Sequence, residues 1–136
     1  MLIIRVAILS VLVATLVAIM GCGGKNNVLN PRFQPQVNNA PDNFQFQATG
    51  VQGVTQTLNY TWQNTGIAAT VNQATTVTAG HAILTIGDAN GTQVYMGDLV
   101  NNGTFTTTTG ITGNWTIRLT LDHYSGTLNF RVQKRP

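Results

Sequence analysis

The chain has 136 residues, enough for one ordinary domain, and carries 7 Lys and Arg, 4 acids and a single cysteine. From Cys22 onward there is no Glu, and six bases (Lys25, Arg32, Arg118, Arg131, Lys134, Arg135) face four acids (Asp42, Asp88, Asp98, Asp122), a balance of six minus four, or +2. With only Arg131, Lys134 and Arg135 clustered, the basic footprint of a nucleic-acid binder is missing, and one thiol cannot form an internal disulfide.

Residues 1–5 supply an amino terminus and Arg5, Val6 to Met20 are apolar except for Ser10 and Thr15, and Gly21 is a small boundary residue. This sequence of n-region, h-region and small-residue site predicts a secretory signal peptide over 1–21. The competing reading is a membrane-spanning helix. Fifteen residues at about 1.5 Å rise give roughly 23 Å, short of a hydrocarbon core of about 30 Å. Lengthening the span with Leu2, Ile3 and Ile4 would bring Arg5 inside, at several kcal/mol.

The lone thiol follows directly. Ile19-Met20-Gly21-Cys22 resembles the lipobox of bacterial lipoproteins, although the usual pattern has Leu where Ile19 stands and Ala or Ser where Met20 stands. The resemblance implies cleavage between Gly21 and Cys22, lipidation of the Cys22 thiol, and attachment to a membrane through acyl chains. Gly23, where an Asp would signal retention at the inner membrane, implies the outer membrane in a cell that has two. Each buried methylene contributes about 0.8 kcal/mol, so two acyl chains suffice for stable anchoring. The plain alternative is a free cysteine of no special role.

Residues 22–43 mix Gly, Asn and three prolines with scattered apolar residues and no period, which predicts a flexible linker. Its 21 residues after Cys22 would span roughly 25 Å r.m.s.. Phe33 and Val37 could instead pack on the domain or on a partner.

From Phe44 the period is two, which predicts an all-β domain over 44–136. The apolar sets are Phe44, Phe46 and Ala48; Leu58, Tyr60 and Trp62; and Ile67, Ala69 and Val71. In ILTIGDANGTQVYM, a two-residue Asn90-Gly91 loop would pair Ile86 with Tyr95 and put Val94 opposite Gly87, scrambling the faces, whereas a three-residue loop over Ala89 to Gly91 pairs Ile86 with Val94 and Leu84 with Met96 and is the register expected. Asp88 would open its type I turn and Gly91 take the left-handed position. The same device in LVNNGTF puts Leu99 opposite Phe105 across Asn101 to Gly103. Finally, Trp115, Ile117, Leu119 and Leu121 alternate with polar residues, as do Leu128, Phe130 and Val132. A Ser125-Gly126 hairpin loop would place Leu121 opposite Phe130 and Leu119 opposite Val132. Short strands with turn signals every eight to twelve residues predict a small antiparallel β-sandwich of seven or eight strands.

Part of this pattern resembles the pre-peptidase C-terminal family of secreted β-sandwiches. The resembling residues are Ala82, Leu84 and Ile86, the Asp88-to-Gly91 turn, Gly113-Asn-Trp115-Thr-Ile-Arg118-Leu, and Ser125-Gly126 through Val132. The likeness implies a sandwich used as an accessory or binding module. Some members bind calcium, but the acidic cluster this needs is absent here.

Candidate chemistry is sparse. Asp122, His123 and Ser125 contain the side chains of a hydrolase triad, but alternation sends Asp122 and His123 to opposite faces and makes His123 a half-buried structural residue. His81 has no acidic neighbour in sequence, and two histidines with four scattered Asp show no metal-ligand spacing. Four Asn-x-Thr sequons, at Asn59, Asn90, Asn102 and Asn114, are what an Asn- and Thr-rich chain produces by chance. Trp62 and Trp115 have core parity. Tyr95 falls opposite in parity to Val94 and Met96, and Tyr124 lies in the expected turn, which leaves these two as exposed rings for a ligand. The sequence thus predicts no enzyme and no cofactor. It predicts a lipid-anchored, extracytoplasmic module that contacts an envelope protein or, alternatively, a glycan such as peptidoglycan or another polysaccharide through Tyr95, Tyr124 and polar neighbours.

Overall fold

A computed structural model describes residues 34–136; residues 1–21, read from sequence as a signal peptide, with Gly21 at their end, and Cys22 and Phe33 lie outside the described residues. Seven antiparallel strands and no helix make up the described chain: β1 (Gln36–Ala40), β2 (Asn43–Asn64), β3 (Ala69–Gln73), β4 (Thr76–Gly87), β5 (Gln93–Asp98), β6 (Gly103–Thr106) and β7 (Gly113–Lys134).

Two strands of 22 residues, β2 and β7, organise the fold, and they pair from Asn43↔Gln133 to Asn64↔Gly113. Both bend in the middle, where the register slips between Ala48 and Gln56 of β2. The bend folds one continuous sheet into two facing halves. The first half runs β1, the start of β2, the end of β7, β3 and β6. The second runs the end of β2, the start of β7, β4 and β5. Phe44 and Tyr60, 16 residues apart on one strand, have ring centroids only 5.3 Å apart, which requires the strand to bend until its two halves face each other. Phe46 stacks on Phe130 at 5.2 Å across the β2–β7 pair, and Trp62 meets its cross-strand partner Trp115 edge-on at 5.9 Å.

The last strand corrects the expected final hairpin. Leu119, Leu121, Phe130 and Val132 are all buried, as the pattern requires, but β7 does not turn at Ser125-Gly126. Buried residues have odd numbers from Trp115 to Leu121 and even numbers from Tyr124 to Phe130 and Val132. A hairpin loop can produce this change of parity, and so can one extra residue in a continuous strand. Here the extra residue is His123, whose φ of 47° marks the bulge. Facing it, β4 slips register twice between Val77 and His81, with Gly80 at φ 70°.

The β4–β5 hairpin has the expected turn chemistry with a different register. Gly91 is left-handed at φ 81° and its N–H donates to the Asp88 carbonyl at 2.9 Å. Ile86, however, pairs with Tyr95 and Leu84 with Gly97, after a slip between Gly87↔Gln93 and Ile86↔Tyr95. The bulge turns both Val94 and Tyr95 toward the interior and leaves Met96 62% exposed. The expected pairing of Leu99 with Phe105 is also corrected. Leu99 donates to the Ala82 carbonyl at 2.8 Å, while β6 crosses to the other half and pairs with β3, placing Phe105 opposite Val71. Turn residues alone cannot distinguish a hairpin from a crossover between sheet halves.

The folded unit also begins earlier than composition indicates. Gln36–Ala40, inside the span read as linker, is a strand in register with Asn43–Gln47. It is held at its far end as well: Asn39 Nδ2 donates to the Thr61 carbonyl at 2.9 Å, Trp62 Nε1 to the Ala40 carbonyl at 3.1 Å, and Asp42 N–H to the Gln63 carbonyl at 2.9 Å. These bonds cover part of the outer edge of the second half of β2.

Candidate functional site

Neither tyrosine singled out by sequence offers an exposed ring. Tyr124 is fully buried, because the bulge at His123 puts it on the inner face, and its hydroxyl contacts the carbonyl oxygens of Thr76 at 3.0 Å and Thr127 at 3.1 Å. Tyr95 is half-buried, tilted against Phe105 at 6.2 Å, and donates to Gln73 Oε1 at 2.7 Å. Gly97 makes room for it, since a Cβ there would fall within 3.0 Å of the Tyr95 ring.

Burial disfavours the phenolate and raises the pKa of all three tyrosines of the chain, Tyr60, Tyr95 and Tyr124, the last to about 12. A phenol whose folded pKa exceeds its unfolded value of about 10 contributes stability that is complete below pH 10 and is lost as pH rises through the folded value. Alkaline titration of the native protein should therefore show no phenolate absorbance step at the ordinary tyrosine pKa. A one-tyrosine step there, with the fold intact, would contradict the packing described.

The Asp122-His123-Ser125 sequence does not form a triad. Alternation fails at the bulge, so Asp122 and His123 both face solvent, with His123 Nδ1 2.5 Å from Asp122 Oδ1. Ser125 Oγ is engaged elsewhere, accepting from the Gly53 N–H at 2.9 Å. His123 is thus exposed rather than half-buried. His81 finds an acid only at a distance, 4.0 Å from Asp98 Oδ2, with most of its side chain exposed.

The other acids organise turns. Asp88 is buried, and desolvation pushes its carboxyl up. Three backbone N–H donors outweigh this and hold it below the usual range: Ile111 at 3.0 Å, Thr92 at 2.9 Å and Asn90 at 3.0 Å. Asp42 is lowered by the N–H and hydroxyl of Thr65 at 2.7 and 2.8 Å, helped by Lys134 Nζ at 3.5 Å. Asp98 accepts from the Val100 N–H at 3.0 Å. Among the described residues, no group of three or more His, Cys, Asp or Glu side chains is arranged to hold a metal ion.

Two surfaces remain. At the end of the sandwich remote from the bend, Ile67 and Ile111 are 55% and 51% exposed on loops joined by the Gly110 N–H to Ile67 carbonyl bond at 2.7 Å. A shallow cleft beside Ile67 is bordered by Lys134 and Arg135.

The second surface is the outer face of the first half. Because Phe44, Phe46, Leu128, Phe130, Val132 and Val71 point inward, the residues between them point out. Register aligns these outward residues into rungs across the strands. One rung runs Asn38, Gln45, Arg131, Asn72, Thr104, and its neighbour runs Gln36, Gln47, Asn129. Gln45, with its amide oxygen turned toward Arg131, accepts from Nε at 3.0 Å and Nη2 at 3.2 Å. Thr104 Oγ1 donates to Asn72 Oδ1 at 2.8 Å. Gln36, Asn38, Gln45, Gln47 and Asn129 line a cleft of about 230 Å³. The alternation FQFQ at 44–47 announces the two central glutamines, whereas Gln36 and Asn38 were hidden by the proline-flanked composition around β1.

No protein-family model matches this chain, and no curated protein sequence matches it significantly.

Proposed function

We propose that the protein is a lipid-anchored lipoprotein of the bacterial cell envelope that displays a small β-sandwich as a non-catalytic interaction or structural module. The observation that carries this reading is Ile19-Met20-Gly21-Cys22 at the end of a signal-length apolar segment. Two acyl chains on Cys22 would fix the chain to a membrane, and the outer membrane follows from Gly23 where the cell has two. The likeness of residues 80–132 to the pre-peptidase C-terminal family contributes an accessory or binding role and no site. The position of β1 supports an orientation: Gln36 lies opposite Gln47, just before the bend of β2. A tether entering there would hold the bend toward the membrane, with the loops carrying Ile67 and Ile111 pointing away.

Metabolic labelling with a palmitate analogue tests the anchor. The native protein should incorporate the label and fractionate with membranes, and Cys22→Ser should abolish both. Unchanged membrane association of the Cys22→Ser protein would remove the claim.

A second reading, glycan binding, is favoured by the amide rungs on the outer face of the first half rather than by Tyr95 and Tyr124, whose rings are packed inside. It depends on surface chemistry alone and stands or falls separately from the anchor.

A further inference from the structure

We infer that the amide-bearing face of the first sheet half, centred on Gln36, Asn38, Gln47 and Asn129, is a binding site for an extended, uncharged polysaccharide lying across the strands. The inference rests on the glycan-binding reading and gives it a location and a ligand class.

The chemistry of the rungs argues for hydroxyl-rich partners. Each amide presents one acceptor and two donors in a plane, which suits adjacent sugar hydroxyls, themselves donors and acceptors. Across the rungs Asn38–Gln45–Arg131–Asn72–Thr104 and Gln36–Gln47–Asn129 there is one cation and no carboxylate. Arg131 is already engaged by Gln45, so this face offers little to an acidic polymer. It also lacks what a protein hot spot needs: its outward positions hold no aromatic or large aliphatic side chain, and Val37, 37% exposed, sits at its edge strand.

Geometry argues for a polymer rather than a single sugar. Neighbouring strands lie about 4.8 Å apart, close to the repeat of one pyranose ring in an extended β-linked chain. A glycan crossing from β1 to β2 to β7 would therefore present successive rings to Gln36, Gln47 and Asn129 in turn. The cleft lined by these residues, about 230 Å³, gives such a chain a shallow groove in place of a deep pocket. Together with Asn38 these residues line the cleft, and Asn129 is fixed there by its backbone, whose N–H donates to the Thr75 hydroxyl and whose carbonyl accepts from it, both at 3.1 Å.

The experiment is retention of the full chain, as purified in detergent and as its Cys22→Ser form, on insoluble cellulose and chitin and on an array of neutral glycans. An acidic polysaccharide serves as the charged comparison. We expect retention on at least one neutral polymer, insensitive to high salt because no ion pair is involved. Gln47→Ala combined with Asn129→Ala should weaken it roughly tenfold or more. Thr61→Ala with Thr120→Ala, outward positions on the other half, should leave it unchanged, and matching circular dichroism of all forms keeps folding out of the comparison. Retention that survives Gln47→Ala/Asn129→Ala overturns the assignment to this face while glycan binding stands. Failure to bind any glycan, neutral or acidic, overturns both, and retention only on the acidic polymer, lost in salt, overturns the uncharged class. None of these outcomes depends on whether Cys22 carries lipid.

Discussion

Gly126→Ala is expected to destabilise the sandwich by at least about 3 kcal/mol, lowering the melting temperature of a domain this size by ~12 °C or more, or to prevent folding altogether. Gly126 has φ 139° and sits at the bend of β7, where its backbone faces Val51 of β2 on one side and Val77 of β4 on the other. A Cβ there would fall under 3.0 Å from the Thr76 carbonyl oxygen and would also crowd the Tyr124 hydroxyl. Both neighbours are fixed, one as backbone and one by its bonds to the Thr76 and Thr127 carbonyls, so neither can move aside cheaply. The bend is where one sheet becomes two facing halves, and an error there removes the packing of Phe44 and Phe46 on Tyr60 as well. Gly53→Ala is the informative comparison. Gly53 shares the bend and has φ 59°, but nothing lies within 4 Å of where its Cβ would be. Its cost should be limited to the left-handed conformation itself, about 1–2 kcal/mol. Denaturant unfolding of the two variants checks the difference; equal effects would mean that crowding at the bend does not control the fold.

This bend also marks the limit of what the sequence discloses. The inner faces were legible almost residue by residue: Phe44, Phe46, Ala48, Leu58, Trp62, Ala69, Val71, Leu119, Leu121, Phe130 and Val132 are buried as the period of two requires, whereas Ile67, grouped with Ala69 and Val71, precedes β3 and is exposed. The connections between strands were not. Parity changes at Leu121–Tyr124 and Val94–Tyr95 are real signals, but a bulge and a turn produce the same change, and only cross-strand partners decide between them. The long partner β2 decides for β7, because 17 paired positions from Asn43 to Asn64 require a strand that passes through the bend without reversing. The same ambiguity produced both errors over the tyrosines. Read as part of a turn, Tyr124 becomes a surface ring, and read without the bulge, Tyr95 faces outward.

The candidate site was legible in proportion to how regular its strands are. Gln45 and Gln47 alternate with Phe44 and Phe46, and Asn129 and Arg131 alternate with Phe130 and Val132, so their outward direction follows from periodicity. That they share one face with Gln36 and Asn38 depends on register between segments more than 80 residues apart in sequence and on a strand embedded in a proline-rich segment. No local pattern encodes this. Composition gave the correct physical class, a chain in which side-chain amides and hydroxyls replace charge, and the structure supplies the rungs.

Trp62→Ala should be nearly as disruptive as the loss of Gly126, at about 3–5 kcal/mol. Trp62 is fully buried, packs edge-on against Trp115 at 5.9 Å, and donates from Nε1 to the Ala40 carbonyl at 3.1 Å. The substitution therefore leaves a cavity beside a second large ring and removes a bond between β2 and the end of β1. Trp62→Phe separates these effects: it keeps most of the apolar volume but cannot donate, and should cost about 1–3 kcal/mol. Because Ala40 closes β1, both variants should also expose the β1–β2 turn, which hydrogen exchange would report as faster exchange at Asp42, whose N–H is otherwise held by the Gln63 carbonyl at 2.9 Å. The amide face depends on β1 for Gln36 and Asn38, so Trp62→Phe is expected to weaken polysaccharide retention without touching the face itself. If Trp62→Phe unfolds like native protein and leaves exchange at Asp42 unchanged, the tryptophan is packing alone and the link between the core and β1 must lie elsewhere, in the Asn39 bond to Thr61.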